Sequence, residues 1–478
     1  MKPILGKFRS ELKTVSRQML NMRFIFVFIC ITGAAMMVVK HYRCPVVRNI
    51  QPVDTQIVKH LLRPAEAQNT SQFAKEEDTN KTHGASCHCP NPSSAPRHKK
   101  PPVLEQSPRN TVQSRRRTTM LEGCKQLGIN YTGTLHESKI KPHMIYDQKS
   151  NLVFCDIPKV GSTFLKQVLH IVAGHHHEKD PFKMDGTAVH KTPFTTFNAI
   201  PYDQALKRLV HSVKFLFVRD PFSRMLSGYV DKLYTNNYIF WGVTGKKIVN
   251  THRANASKLS LECGHDITFP EFIKHVIRSE TSGKNRDPHW YPMYDACRPC
   301  SLEYDVIGKI ETFKEDLKDF LTSQKLQHVV DISNMDQGND NVAVTVTVNR
   351  AFEAVRERPK CILLPHALVR AWKVLQIRGV LSQLSEFPYD LIKKNPKITQ
   401  ARFLDIVVKE MKQKPLSQSE KLLSRQQAMI HAYSSVSSAD LEKFTSVYHP
   451  DFSIFGYKKD IGEKDKRFLT WEPFKLQF

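Results

Sequence analysis

Phe154–Gly174 reads FCDIPKVGSTFLKQVLHIVAG. Leu152–Ile157 is an apolar run of strand length, and Leu165, Val168, Leu169 and Val172 then fall at helical spacing on one face. Between them, Pro158 and Gly161 shape a turn and Ser162 and Thr163 open the helix. A helix start presents unpaired backbone N–H groups, so two hydroxyls and Lys159 beside it make a cradle for an anion. The Gly-x-x-x-x-Gly-Lys order of nucleoside triphosphate loops is absent. Here the lysine precedes the glycine. A turn with a surface lysine has the same pattern, so a second signal is needed.

Phe215–Leu233, FLFVRDPFSRMLSGYVDKL, supplies it. Lys214–Val218 reads as a second buried strand. Asp220 stands where an N-cap belongs and Pro221 at the first helical position. Phe222, Met225, Leu226, Tyr229 and Leu233 share a helical stripe. Arg219 therefore sits at a strand-to-helix corner, with a planar fork suited to phosphate oxygens. Ser223 and Ser227 share a face away from the stripe. Taken alone, this corner reads as helix capping flanked by charges. Two such corners about sixty residues apart suit a ligand with phosphate groups at both ends.

Strands alternating with helices predict an α/β domain, a parallel sheet flanked by helices. Helices are expected over Phe269–Arg278, Thr312–Leu321, His366–Leu384, Gln400–Lys412 and Ser419–Ala432. VAVTVTV, Val342–Val348, alternates like a strand.

The whole chain has 478 residues and a net charge of +25, from 71 Lys and Arg against 46 Asp and Glu. Such an excess attracts polyanions. Phe24–Val39 is a run of sixteen uncharged, mostly apolar residues. Six basic residues precede it (Lys2, Lys7, Arg9, Lys13, Arg17, Arg23), more than follow it closely. The positive-inside rule makes 1–23 a cytosolic tail, 24–39 a transmembrane signal anchor, and the rest lumenal. Residues 40–118, rich in Pro, Ser and basic residues, read as a disordered stem, with Arg115, Arg116 and Arg117 as a solvated linker. The globular domain is expected over 119–478. Lumenal placement makes disulfides plausible among the ten cysteines, and Asn69, Asn80, Asn130 and Asn255 head glycosylation sequons.

The two motifs resemble the signatures of the Golgi carbohydrate sulfotransferases, the group with chondroitin/dermatan 4-O-, GalNAc-4-O- and HNK-1-type enzymes. FPEFIKHVI (Phe269–Ile277), HWYPMYDACRPC (His289–Cys300), YDVIGKIETFKEDL (Tyr304–Leu317) and YHPDFSIFGY (Tyr448–Tyr457) extend the resemblance. Gly161-Ser162-Thr163-Phe164 stands where relatives often have Ala-Cys-Thr-Asn. Residues 324–434 form an insert without counterpart in that pattern.

The resemblance implies a P-loop-like fold and the donor 3′-phosphoadenosine 5′-phosphosulfate (PAPS). It implies that Pro158, Lys159, Val160, Gly161, Ser162, Thr163 and Phe164 form the 5′-phosphosulfate segment. Arg219, Asp220, Pro221, Phe222, Ser223, Arg224 and Ser227 would form the 3′-phosphate segment. Lys159 is the expected stabiliser of the leaving phosphate, in a reaction that calls for no metal because protein cations neutralise the charge. A hydroxyl acceptor needs a base. His190, between the motifs, is the first candidate and His289, beside an aromatic, the second. His175–His177 read as a solvated loop, and Cys297 and Cys300 as structural, disulfide-bonded cysteines.

The expected protein is thus a single-pass type II Golgi membrane enzyme. It moves a sulfuryl group onto a glycosaminoglycan or glycoprotein glycan, first position 4 of GalNAc in chondroitin or dermatan. HNK-1-type glucuronic acid 3-O or N-glycan GalNAc-4 transfer is the alternative acceptor choice. An inactive polysaccharide-binding membrane protein is the rival of another class. A lumenal kinase is disfavoured by the displaced lysine and the lack of a Mg²⁺-carboxylate motif. Nucleic acid is not among the expected partners.

Overall fold

Alternation of apolar and polar residues is missing from the central strands, because both of their faces are covered. β2 (Leu152–Cys155) is buried at every position and β4 (Val213–Val218) at its last four. In the computed structural model they pair in parallel, and β4 pairs in parallel with β5 (Val306–Lys309). The described residues are 112–129, 143–186, 188–190, 194–463 and 470–475. The expected membrane segment, most of the expected stem and the sequons at Asn69, Asn80 and Asn130 lie outside them. Asn255 is described and exposed. Among the described residues, no helix is long and apolar enough to cross a membrane.

β1 (Met144–Asp147) runs antiparallel to β2 and to the short β3 (Thr195–Thr196). The sheet thus has five strands in the order β3-β1-β2-β4-β5 and is mixed rather than wholly parallel. A tight turn joins β1 to β2, in which the Asp147 carboxylate accepts from the Lys149 and Ser150 amides at 3.3 and 3.0 Å. So short a link can only return the chain antiparallel.

The domain also starts earlier than expected. Helix α1 (Val112–Gln126) crosses the proposed stem boundary. Arg116, assigned to a solvated linker, donates to the Ile307 carbonyl and to Asp316, both at 2.7 Å. Its guanidinium ties α1 to β5 and to the following helix, so the segment has docking partners that composition does not show.

Four further helices position the site. α2 (Ser162–Val172) follows β2, and α3 (Tyr202–His211) precedes β4. α4 (Pro221–Tyr229) follows β4 and runs into a π turn at Val230–Tyr234. α5 is Phe269–Ser282, opened by a capping box of Thr268 and Glu271.

The 324–434 segment is helical: α6 (Met335–Glu357), α7 (Leu364–Ile377), α8 (Gln400–Gln413) and α9 (Gln418–Tyr433). VAVTVTV lies inside α6, not in a strand. Val344, Val348 and Ala351 are buried while Val342 and Val346 face out, a helical spacing set by packing against α7. Tertiary contact overrides the β-branched propensity.

Among the described residues, three disulfides join Cys124 to Cys300, Cys155 to Cys297 and Cys263 to Cys361. Cys297 and Cys300 are thus both bonded, to different partners. Cys155–Cys297 holds the end of β2 beside the His289 segment, and Cys263–Cys361 ties the insert to the domain.

Candidate active site

Ligands in open α/β sheets lie beyond the carboxyl ends of parallel strands. β2 and β4 end side by side there. After β2, the backbone turns through Lys159 at φ 73° and Gly161 at φ 82°. Gly161 is required twice over. Its φ is left-handed, and a Cβ would come within 2.8 Å of the Phe313 ring. No side chain caps α2, so its first N–H groups have no side-chain acceptor at the loop. Lys159 holds a left-handed conformation without glycine's freedom, a strain of the kind that clusters at ligand-binding loops.

The second corner is built onto the first. Asp220 accepts from the Ser223 amide at 2.8 Å and caps α4. Burial pushes the Asp220 carboxyl up to about 6. Arg219 donates through Nε to Ser223 Oγ at 3.0 Å and through Nη1 to the Lys159 carbonyl at 3.2 Å. One guanidinium therefore spans both motifs. Burial lowers it to about 10, partly offset by Glu311, so it stays charged at neutral pH.

The π turn after α4 delivers two groups that motif reading did not single out. Asp231 accepts from Lys159 Nζ at 2.8 Å, and Lys232 lies 3.3 Å from the same oxygen. Burial pulls Lys159 down to about 8, against the opposing pull of Asp231. Burial also pushes the Asp231 carboxyl up, but Lys159, Arg350, Lys232 and Arg378 outweigh it and hold it well below the carboxylate range. An inserted i→i+5 turn is a common way to re-aim side chains at functional sites.

Both candidate bases flank this cleft. His190 Nε2 is 3.4 Å from Thr163 Oγ1, and its Nδ1 is 3.3 Å from Lys166 Nζ. Lys166 in turn pairs with Asp156 at 2.5 Å. Burial and then Lys166 lower the His190 pKa, so its imidazole is neutral near pH 7. His289 Nδ1 is 2.7 Å from Asp287, which orients the ring, and Phe240 meets it edge-on at 5.5 Å. Asp287 stands two residues before His289, a proximity that sequence shows but that only the turn makes a contact.

Not every predicted residue faces the cleft. Arg224 is 1 % exposed and donates to the carbonyls of Pro158, Tyr291 and Pro288 at 3.0, 2.8 and 3.3 Å. It is a strut between loops, not a ligand for phosphate. Phe222 is buried among Tyr433, Phe444 and Phe452. Val160 is fully buried in the sheet core, and Pro221 is buried at the start of α4. Phe164 packs on Phe182 and Phe313. These five assignments followed the motif's extent, whereas packing turns their side chains inward. Lys159, Gly161, Ser162, Thr163, Arg219, Ser223 and Ser227 remain along the loop and the exposed side of the second corner.

The C-terminal motif closes the site from behind. Asp451 accepts from the Met293 and Tyr294 amides at 2.8 Å each. Tyr457 donates to Glu311 at 3.0 Å, and Glu311 accepts from the Asp220 amide. His175 packs against His170 and Phe194. Among the described residues there is no cluster of three or more His, Cys, Asp or Glu able to hold a metal ion.

The sulfotransferase family model matches residues 142–355, which contain both corners and both histidines. Carbohydrate sulfotransferase 11 of Rattus norvegicus is 34% identical over 178 residues, 36% of this chain and 50% of the relative. Carbohydrate sulfotransferase 14 of Danio rerio is 29% identical over 43% of this chain and 55% of its own. Carbohydrate sulfotransferase 8 of Mus musculus is 29% identical over 44% and 50%. The chain spans about half the length of these curated relatives. No solved structure matches it. Residues 142–355 are thus similar to the sulfotransferase family, and the curated relatives that match this chain are carbohydrate sulfotransferases.

Proposed function

We propose that the chain transfers a sulfuryl group from PAPS to a sugar hydroxyl of a glycosaminoglycan or glycoprotein glycan. The observation that carries this reading is the Arg219 guanidinium, which joins the second corner to the Lys159 carbonyl of the first. That contact brings the two corners together, which supports reading them as one site for a doubly phosphorylated donor. Position 4 of GalNAc in chondroitin or dermatan is the first acceptor to test. Glucuronic acid 3-O and N-glycan GalNAc-4 are the next.

In the transfer, the acceptor oxygen forms a bond to sulfur while the bond from sulfur to the bridging oxygen breaks. The electron pair of the broken bond stays on the phosphate, and the acceptor proton passes to a base. Lys159 and the α2 N–H groups face the growing negative charge. His190 is the proposed base, because it is neutral and reaches Thr163 of the same loop. The disulfides fit an oxidising compartment, in keeping with a Golgi lumenal domain behind a type II anchor.

The direct test is transfer of labelled sulfate from PAPS to a panel of desulfated chondroitin, dermatan and glycan acceptors. Transfer to at least one is expected. Donor binding without transfer to any would favour the polysaccharide-binding reading instead.

The base is tested by Lys166→Met. Removing Lys166 takes away a positive neighbour and leaves Asp156 unpaired, so the His190 pKa rises toward its ordinary value. A base must be deprotonated to act, so the acid limb of kcat/KM against pH should move upward. An unmoved limb would transfer the role to His289.

A further inference from the structure

The segment expected as an insert brings three arginines to this site; its first part, with Arg350, falls within the family match that ends at residue 355, and Arg378 and Arg425 lie beyond it. Arg350 on α6 donates through Nη1 to Asp231 Oδ1 at 2.9 Å and to the Asp231 carbonyl at 3.1 Å. Arg378, just past α7, reaches the same Oδ1 at 3.4 Å. Lys159 and Lys232 hold the other oxygen. Four cations against one carboxylate leave a local charge of +3. Arg425 on α9 is exposed and donates through Nε to the Arg378 carbonyl at 2.8 Å.

The charge of Arg425 also acts on both Arg378 and Arg219, lowering each after burial has done so. The acids that act on Arg425 are Asp340 and Asp336, and these already engage Lys421 and Lys314. The insert arginines thus form a row. At one end Arg425, bonded to the Arg378 carbonyl, lies within electrostatic reach of Arg219 at the second corner, and at the other Arg350 and Arg378 meet Lys159 of the first through Asp231. Packed helices and the Cys263–Cys361 disulfide hold like charges together that would otherwise repel. Such a row is stabilised by a ligand with separated negative charges.

We propose that the insert is the second wall of the donor site: Arg425 joins Arg219 at the 3′-phosphate, and Arg350 and Arg378 face the 5′-phosphosulfate end, with Asp231 as its internal counter-ion. This rests on the PAPS reading above. A donor is favoured over an acidic acceptor because the row begins at one corner and ends at the other. An acceptor track would lead away from one of them.

The test is calorimetric binding to the full chain of adenosine 3′,5′-bisphosphate, adenosine 5′-phosphate and adenosine 3′-phosphate. R425Q should weaken the two ligands with a 3′-phosphate about tenfold or more, from one lost charge-assisted contact. It should leave adenosine 5′-phosphate within about twofold by the same scale. R378Q should weaken the two ligands with a 5′-phosphate and spare the third. If the parent binds the bisphosphate and both variants match it, the second wall is wrong while the donor reading stands. A raised acceptor KM at unchanged bisphosphate affinity would equally overturn it. If the parent binds no bisphosphate, the donor reading falls and this inference with it. Thermal melting checks the fold, and R425K, which keeps the charge, should recover part of the lost affinity.

Discussion

Lys159→Ala is expected to slow sulfuryl transfer by about 10²–10³, the usual cost of removing one donor aimed at developing charge. The fold should survive. Asp231 keeps Lys232, Arg350 and Arg378 as partners when Lys159 is gone. The backbone at position 159 is already left-handed with a non-glycine residue, so alanine adds little strain. A pH effect accompanies this. With its pKa lowered to about 8, Lys159 is charged at neutral pH and loses its proton as the pH rises through that value. Since the charged form is the active one, kcat/KM should fall above about pH 8, the limb reporting the free enzyme. A bound phosphosulfate favours the ammonium, so the same limb in kcat should lie higher. Steady-state transfer by the parent and variant, with melting temperatures for both, checks these points. Full activity in Lys159→Ala would end the assignment of this loop.

The two corners are legible because their chemistry is local. A strand, a turn, a cap and a cation fall within a few residues, and a period of 3.6 replaces a buried run. What sequence order cannot show is where a helical side chain points once packed. Arg224 and Arg219 look equivalent in VRDPFSR, yet one is swallowed by three carbonyls and the other lines the cleft. Asp231 and Lys232 hide in an ordinary helical stripe, because a π turn leaves no compositional mark. Arg350, Arg378 and Arg425 lie 119, 147 and 194 residues beyond Asp231, in or beside helices of ordinary periodicity. Only tertiary packing and the Cys263–Cys361 bond bring their segment back. The antiparallel β1 escapes sequence reading for a different reason. MIYD is four residues long and reads as a strand only beside its partner.

Arg224→Met should cost about 2–4 kcal/mol of stability, the scale for breaking a hydrogen-bond network around a buried charged side chain. The side chain is 1 % exposed, and its three bonded carbonyls come from two separate turns of the chain. Pro158 opens the Lys159 loop, while Pro288 and Tyr291 bracket His289 and Trp290. Methionine fills similar space but donates to none of them. Three partly buried acceptors then lose their donor, each at a cost of up to about 1–3 kcal/mol where water does not replace it. Asp451, whose carboxyl is already pushed up to about 6 by burial, also loses a compensating charge. Arg224→Lys keeps a charge but has no planar fork, so it should fall between parent and methionine. Urea unfolding reads the effect as a lower midpoint at unchanged slope. The activity of the folded fraction should fall as well, since the strut sets the distance between the donor loop and the His289 segment. A midpoint shift worth under about 1 kcal/mol would mean that those carbonyls find other donors, and that Arg224 does not set this spacing.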